Sequence, residues 1–283
     1  MSNQIASRAG TVTLGDLTVN RMGFGAMRLT GPGIWGPPAD REECKRVLRR
    51  AVELGVNFID TADSYGPYVS EELIAEALFP YPDDLVIATK AGLTRPRPGS
   101  WEPDGRPEHI RDAVQGSLRR LRLERIDVYQ VHRPDPKVPY TETVGAFRDL
   151  QQAGLVRHVG VSNVSVERLG VARGIVDVVS VQNRYNLSDR ESEPVLEACT
   201  DAGLAFIPWF PLATGRLAGE AIERVAKRRG LTPTQVGLAW LLQHSRVMLP
   251  IPGTSKVSHL EENVAAAEVE LSDEDIHELE VAA

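Results

Sequence analysis

Short apolar runs alternate with amphipathic helical runs along almost the whole chain of 283 residues, and this alternation constrains the fold most strongly. The apolar runs are rich in β-branched residues and apolar on both faces, as are strands buried inside a parallel sheet. We predict eight strands: Arg21–Phe24, Val56–Asp60, Leu85–Thr89, Ile126–His132, Val156–Val161, Val178–Gln182, Ala205–Trp209 and Val247–Ile251. The intervening patterns predict helices that include Arg41–Leu54, Glu71–Leu78, Pro107–Leu121, Thr141–Ala153 and Pro233–Gln243.

Glycines mark the ends of several of these helices. Gly55, Gly154 and Gly203 each follow a helical pattern and precede a strand, which is the C-cap position. Strands that alternate with helices imply right-handed crossovers and a parallel sheet. Eight such units favour a closed (β/α)8 TIM barrel of the α/β class over an open sheet, and the chain is long enough for the roughly 250 residues that such a barrel needs.

The segment before the first barrel strand has a different pattern. Thr11–Leu14 and Thr18–Asn20 are joined at Gly15-Asp16, which predicts a short N-terminal β-hairpin. No linker, repeat or low-complexity tract divides the sequence. We therefore expect residues 1–283 to form a single barrel domain.

Composition excludes several classes of function. The net charge of -7 gives no reason to expect nucleic acid or membrane partners. Cys44 and Cys199 have no CxxC spacing, which argues against a disulfide framework or a structural zinc site and suits a reducing compartment. The N-terminus has no apolar core of the signal-peptide type, and no stretch approaches the roughly 18 apolar residues of a membrane span. We expect a cytoplasmic protein, and the sequence leaves its oligomeric state open.

Four ionisable side chains fall at or just after the carboxyl ends of consecutive predicted strands. Asp60 ends the second strand in Asn57–Gly66, and Tyr65 follows it in the next loop. Lys90 follows the third strand in Val86–Gly92, and His132 ends the fourth strand in Asp127–His132. Each residue alone has an ordinary structural interpretation. A barrel, however, brings these strand ends together around one mouth, where such enzymes build their sites.

The four groups together suit the reduction of a carbonyl. A carbonyl that accepts hydride needs a proton, and a phenol with a pKa near 10 is a poor acid at neutral pH. A nearby ammonium lowers that pKa, and a carboxylate keeps the ammonium charged. We therefore expect Tyr65 to be the general acid, Lys90 to tune it and Asp60 to anchor the lysine. His132 would orient the carbonyl oxygen or assist proton transfer.

These motifs and their spacing resemble the aldo-keto reductase superfamily from Met22 to Asn263, and the resemblance implies the same four roles. It also implies residues for a nicotinamide cofactor. Ser162, Asn163 and Gln182 match side chains that hydrogen-bond the nicotinamide carboxamide. Trp209 takes the place of the aromatic residue, most often tyrosine, that stacks on the ring. Leu212 and the turn that ends at Gly215 would border the pyrophosphate.

The segment Ile251–Asn263 resembles the part of the family that binds the adenosine phosphate. It opens a helix, whose free N–H groups favour an anion. Ser255 and Lys256 are expected at the 2'-phosphate, where a protonated His259 would add charge. Thr254 is a further expected cofactor residue, and Glu262 and Asn263 match adenine contacts. Many relatives carry a lysine where Gly253 stands and a basic residue where this chain has His259 or Glu261. We expect NADPH, with NADH as the alternative, and no metal.

The predicted substrate pocket lies in loops that follow strands. Residues 28–39 and 91–106 belong at the face where barrel enzymes carry their specificity loops. The pocket residues would be Met27, Trp35, Trp101 and Arg133, together with Tyr65. Arg133 has two interpretations, an attractor of a substrate phosphate or carboxylate and, by default, a partner in a surface salt bridge. The sequence does not identify the substrate.

Gly31–Gly36 matches the dinucleotide-binding motif GxGxxG. That motif must join a strand directly to a helix, and the prolines inside and after this segment prevent it, so we interpret the match as a chance one. The same region, with Gly23–Met27 and Ile251–Ser255, is similar to bacterial reductases of the pyridoxal-reductase-like branch.

Three classes of function compete. The first is an NADPH-dependent carbonyl reductase. The second is a cofactor-sensing regulatory subunit with little turnover, since potassium-channel β subunits share the fold, and the intact tetrad argues against it. The third, a metal-dependent barrel hydrolase, lacks a His-x-His or a further strand end rich in carboxylates. Short-chain dehydrogenase chemistry is excluded because no tyrosine has a lysine four residues later.

Overall fold

The computed structural model describes residues 4–211 and 219–282. A 3-10 turn at Ile5–Ala9 leads into the predicted hairpin, whose strands are β1 (Thr11–Leu14) and β2 (Leu17–Asn20). The two strands are antiparallel, with Thr11 opposite Asn20. Glycine suits the turn because Gly15 has a φ of 65°.

Seven parallel strands form the barrel sheet, and their ranges lie within a few residues of the prediction. Their order is β3-β4-β5-β8-β9-β10-β11, and β6 and β7 form a small antiparallel pair in the loop after β5. The strands are β3 (Phe24–Gly25), β4 (Phe58–Asp60), β5 (Val86–Ala91), β6 (Leu93–Thr94), β7 (Glu102–Pro103), β8 (Ile126–Val131), β9 (Val156–Ser162), β10 (Val178–Arg184) and β11 (Ala205–Trp209).

The eighth predicted strand, Val247–Ile251, is an extended segment that pairs through a single bridge, Phe206 to Met248. Phe206 N donates to Val247 O at 2.9 Å, and Leu249 N donates to Phe206 O at 2.8 Å. On the other side, Gly23 N donates to Pro250 O at 3.0 Å. A regular strand does not form because prolines at 250 and 252 carry no N–H for a ladder. The segment still joins the two sheet edges, so the fold is the predicted (β/α)8 barrel.

Helices cover the outside of the sheet. They are α1 (Arg41–Glu53), α2 (Val69–Leu78), α3 (Pro107–Leu121), α4 (Tyr140–Gln152), α5 (Val166–Arg173), α6 (Glu193–Ala202), α7 (Glu220–Arg229), α8 (Pro233–His244), α9 (Val257–Ala265) and α10 (Asp273–Val281). In α1, the buried residues are Cys44, Val47, Leu48 and Ala51, a spacing that places them on one helical face. No helix of the described ranges is long and apolar enough to cross a membrane.

The interior of the barrel is closed at the end where the strands begin. Val12, Leu14 and Val19 of the hairpin pack into one buried cluster with inward-facing residues of the barrel, including Phe58 and Ile207. The hairpin therefore plugs the amino end of the barrel. The carboxyl ends of the strands are left free to carry a site.

Candidate active site

The four predicted side chains meet at the carboxyl ends of three adjacent strands. Asp60 ends β4, Lys90 lies near the end of β5, and His132 directly follows β8. β5 pairs with both β4 and β8, which places these residues side by side. Tyr65 is in the loop after β4. All four are buried, with Lys90 completely inaccessible. We call Asp60, Tyr65, Lys90 and His132 the tetrad.

Lys90 is held between a carboxylate and a phenol. Its Nζ donates to Asp60 Oδ2 at 2.6 Å and to Thr61 O at 2.7 Å, and lies 3.5 Å from the Tyr65 hydroxyl. Burial on its own lowers the pKa of Lys90, but Asp60 and Tyr65 favour the charged form and the net direction is upward. A buried ammonium with these partners stays protonated at neutral pH.

The pKa of Tyr65 differs from the sequence prediction. Burial raises it above the ordinary value of a phenol, and the Lys90 charge opposes that rise only in part. The predicted net lowering is therefore wrong for this structure. The reason is that the sequence does not show how completely the ring is enclosed, and desolvation disfavours the phenolate. Tyr65 carries its proton at neutral pH, which is the form that a general acid requires.

His132 is a neutral imidazole. Burial lowers its pKa well below the ordinary value, and the positive charges of Lys90 and Arg133 lower it further. Its Nδ1 lies 3.3 Å from Ser64 Oγ, and its ring stands edge-on to the Tyr65 ring with centroids 5.9 Å apart. A neutral imidazole next to the phenol is suited to hydrogen-bonding a substrate oxygen rather than to donating a full proton as imidazolium.

A cavity of about 260 Å³, the inner cavity, opens over the tetrad. It includes three of the four predicted substrate residues, Met27, Trp101 and Arg133. The fourth, Trp35, is not among its lining residues; it bridges to Gly66 and lies beside Arg95. The full lining is Met27, Tyr65, Leu93, Trp101, His132, Arg133, Ser162, Asn163, Gln182, Trp209 and Phe210.

A second cavity of about 370 Å³, the long cleft, shares Tyr65, Gln182 and Trp209 with the inner cavity. It extends from the tetrad to the start of α9, where its walls include Thr254, His259, Glu262 and Asn263. A nicotinamide dinucleotide is an extended molecule that needs a reacting ring at one end and phosphate contacts at the other. The residues of the cleft fit such a cofactor, with the tetrad at the ring end.

The residues expected at the nicotinamide lie together at the ends of β9, β10 and β11. Asn163 Nδ2 donates to His132 O at 2.9 Å and to Ser162 Oγ at 3.0 Å. Asn163 Oδ1 accepts from Trp209 Nε1 at 3.1 Å. Gln182 Nε2 donates to Asp60 Oδ1 at 2.8 Å, which leaves its carbonyl oxygen as an acceptor for an amide. The indole N–H of Trp209 therefore fixes the orientation of the Asn163 side chain, in addition to the stacking role expected for its ring.

The residues expected at the phosphates divide between two cavities. Ser255 and Lys256 line a neighbouring hollow of about 890 Å³, the side cavity, which shares Gly253 and Thr254 with the long cleft. Thr254 Oγ1 accepts from Lys256 N at 3.2 Å, just before α9 begins. The other residues of this prediction, Leu212 and Gly215, lie outside the described residues.

The two departures from the family pattern have physical explanations. A Cβ on Gly253 would lie 2.4 Å from Gly25 O, so no side chain fits there. Glu261 pairs with Arg50 of α1 at 2.8 Å, so its charge is engaged away from the cleft.

Three residues near the site were not predicted. Gln130 Nε2 donates to Asp60 Oδ1 at 3.1 Å, and a buried amide in an apolar strand was the available signal. Ser64 contacts His132, and its position beside Tyr65 gave no indication of that partner. Arg28 lines both the long cleft and the side cavity, and it lies next to Gly253, since its Cγ is 3.7 Å from the position that a Cβ on Gly253 would take.

Comparisons with known proteins agree with this geometry. The family model described as the Aldo/keto reductase family matches residues 21–283. An uncharacterized oxidoreductase of Schizosaccharomyces pombe is 54% identical over 271 residues, covering 95% of this chain and 88% of that protein. Pyridoxine 4-dehydrogenase of Escherichia coli is 45% identical over 273 residues, covering 94% and 96%. An aldo-keto reductase from Klebsiella pneumoniae, solved in complex with NADPH, superposes with a TM-score of 0.80 at 29% identity, covering 95% and 93%.

The chain belongs to the aldo/keto reductase family. It is accordingly an oxidoreductase of a family that uses nicotinamide cofactors, which confirms the resemblance drawn from the motifs.

Proposed function

We propose that this protein reduces aldehydes or ketones to alcohols with NADPH, and that Tyr65 is the general acid. One observation carries the proposal. A fully buried Lys90 ammonium contacts both Asp60 and the Tyr65 hydroxyl at the point where the inner cavity and the long cleft meet. This arrangement stabilises a phenolate that forms only when the tyrosine gives up its proton.

The long cleft and the adjoining inner and side cavities together contain the residues that would contact NADPH, and NADPH bound there would supply the hydride. Ser162, Asn163 and Gln182 would hold the carboxamide, and Trp209 would stack on the ring. At the other end, Thr254, Ser255 and Lys256 would hold the 2'-phosphate, with His259 adding charge when protonated, while Glu262 and Asn263 would contact the adenine. The Klebsiella pneumoniae relative solved with NADPH supports this choice of cofactor.

The tetrad then accounts for the proton. A carbonyl oxygen in the inner cavity accepts hydrogen bonds from the Tyr65 hydroxyl and from His132. The Ser64 hydroxyl can donate to Nδ1 of the neutral imidazole, which leaves the proton on Nε2 for the substrate. As negative charge develops on the oxygen, the proton moves to it from Tyr65. The resulting phenolate is stabilised by Lys90, which Asp60 holds in place.

Tyr65→Phe tests this assignment because it removes the proton donor and keeps the ring. We expect kcat for aldehyde reduction to fall by about 100- to 10,000-fold while the Kd for NADPH stays nearly constant. Tyr68→Phe is the matched control, since Tyr68 is half exposed three residues away and packs its ring over Arg120. The assay follows NADPH absorbance with a panel of aldehydes and ketones. Unchanged turnover in Tyr65→Phe would remove Tyr65 as the acid.

The panel includes pyridoxal, because the Escherichia coli relative at 45% identity is named pyridoxine 4-dehydrogenase. The same panel separates the reductase from a cofactor-sensing subunit with little turnover. The intact, fully assembled tetrad favours the reductase, since a sensor would not need the buried Lys90–Asp60 pair beside Tyr65.

A further inference from the structure

The lining of the inner cavity includes an arginine, Arg133, that has no acidic partner among the described residues. Arg133 directly follows His132, is exposed and lines the inner cavity. Within residues 4–211 and 219–282 it forms no ion pair, and residues 212–218 contain no Asp or Glu in the sequence. The surface salt bridge, which was the default expectation for Arg133, is therefore not found among the described residues.

The chain has a net charge of -7, so carboxylates outnumber basic side chains. An arginine without an acidic partner among the described residues is therefore unexpected. Arg184, which lies over the ring of Trp209, pairs with Asp189 at 2.8 Å. Neither Asp nor Glu is among the described residues that line the inner cavity. The carboxylate beneath it, Asp60, is already paired with Lys90. Among the described residues, the lining of the inner cavity therefore has the positive charge of Arg133 and no carboxylate to pair with it.

A second guanidinium stands behind the cavity wall. Arg95 lies 3.6 Å over the ring of Trp101, and Trp101 lines the inner cavity. Arg95 is 6% exposed and donates to Ile34 O at 3.0 Å and Gly33 O at 3.1 Å, while its Nε has no partner. A buried cation without a counter-ion is unfavourable, so an anion in the neighbouring cavity would stabilise it.

The geometry points to a specificity determinant. We propose that the substrate is a small carbonyl compound that also carries a carboxylate or a phosphate ester, and that Arg133 binds this anionic group. The guanidinium fork matches both anions with two parallel hydrogen bonds. Because His132 and Arg133 both line the inner cavity, one small molecule can present its carbonyl to His132 and its anionic group to Arg133. This inference rests on the proposed carbonyl reduction, and it adds one residue, Arg133, to the proposed site.

The test compares matched substrates that differ in charge. One pair is 4-carboxybenzaldehyde and its methyl ester, and the other is glyceraldehyde 3-phosphate and glyceraldehyde. For each pair, the ratio of kcat/KM for the charged to the uncharged member is measured with NADPH. The proteins are the unaltered chain, Arg133→Gln, Arg133→Lys and Arg8→Gln. Arg8 is an exposed arginine in the 3-10 turn Ile5–Ala9, and Ala6 of the same turn donates its N–H to Leu54 O at the end of α1.

We expect Arg133→Gln to lower the ratio by roughly 10-fold or more in at least one pair, mainly through KM. Arg133→Lys keeps the charge without the fork and should give an intermediate ratio. Arg8→Gln removes the same net charge far from the cavity and should leave the ratio unchanged. The preference should also weaken at high ionic strength because the guanidinium is exposed. A response limited to one pair identifies the anion as carboxylate or as phosphate.

Two results would overturn the inference, and they are distinguishable. If uncharged aldehydes are reduced but the ratio is the same in Arg133→Gln and the unaltered chain, Arg133 does not bind an anion and the proposed reductase function stands. If no carbonyl compound is reduced by the unaltered chain, the proposed function fails and the inference fails with it.

Discussion

The acid chemistry of the site depends on Lys90. Burial raises the pKa of Tyr65, and the positive charge of Lys90 opposes that rise. Removing the ammonium removes the main influence that lowers this pKa, so it should rise further. Alcohol oxidation needs the Tyr65 phenolate, so its pH optimum should move to higher pH. Carbonyl reduction should slow because the phenolate that it leaves on Tyr65 is less stable.

Lys90→Met would leave Asp60 buried without its partner, which typically destabilises a protein by about 3–5 kcal/mol. The variant to measure is therefore Lys90→Met combined with Asp60→Asn, and the measurement is the pH profile of kcat/KM for alcohol oxidation. Lys227→Met is the control, since Lys227 is an exposed residue of α7. An unmoved profile with normal rates would show that Lys90 has only a structural role.

The start of α9 is the element that should distinguish the two cofactors. Lys256 is its exposed N-cap residue, and the negative Glu261 is paired with Arg50. Lys256→Ala should therefore raise the Kd for NADPH by roughly 10-fold or more and leave the Kd for NADH nearly constant, because only NADPH carries the 2'-phosphate.

Titration of both cofactors by tryptophan fluorescence measures these constants, with the exposed Lys137→Ala as control. An equal loss for both cofactors would mean that Lys256 supports the helix rather than the phosphate. Arg28, which lines both neighbouring cavities, would then be the next cation to test.

The bounds of the helices and strands agree closely with those predicted from the sequence pattern, and the differences have causes in the neighbouring residues. The helix α3 spans Pro107–Leu121 as predicted, and α1 ends one residue earlier than expected. Gly55, Gly154 and Gly203 have φ values of 89°, 77° and 66°, which fits their predicted C-cap positions. The observed β3 (Phe24–Gly25) shares only Phe24 with the predicted Arg21–Phe24, and no regular strand forms at the predicted Val247–Ile251. There the apolar pattern is right, but the prolines remove the donors that a ladder needs.

The N-terminal hairpin and the barrel should unfold together as one cooperative unit, because the hairpin fills the amino end of the barrel. Leu14 is completely buried there, so Leu14→Ala should lower the free energy of unfolding by about 2–5 kcal/mol. Thr13→Ala, on the exposed face of the same strand, should change it by no more than about 0.5 kcal/mol. Urea unfolding followed by circular dichroism and by tryptophan fluorescence measures both, and coincident transitions are expected. Equal effects of the two substitutions would show that the hairpin is not part of the folding unit.

Local pattern was sufficient to predict the barrel, a hairpin before its first strand and the meeting of the four tetrad residues at one end of the barrel. Periodicity reports which faces are buried, and the carboxyl ends of parallel strands meet at one face whatever their sequence separation. Asp60, Lys90 and His132 could therefore be placed together without coordinates.

Other properties depend on side chains that are distant in sequence and meet only after folding. The direction of the Tyr65 pKa shift depends on complete enclosure of the ring, the neutrality of His132 depends on burial and on the nearby cations, and the orientation of Asn163 depends on Trp209. That Arg133 forms no ion pair with any described residue is likewise a property of the assembled loops. Desolvation and hydrogen-bond partners are set by three-dimensional surroundings, which no pattern along the chain encodes.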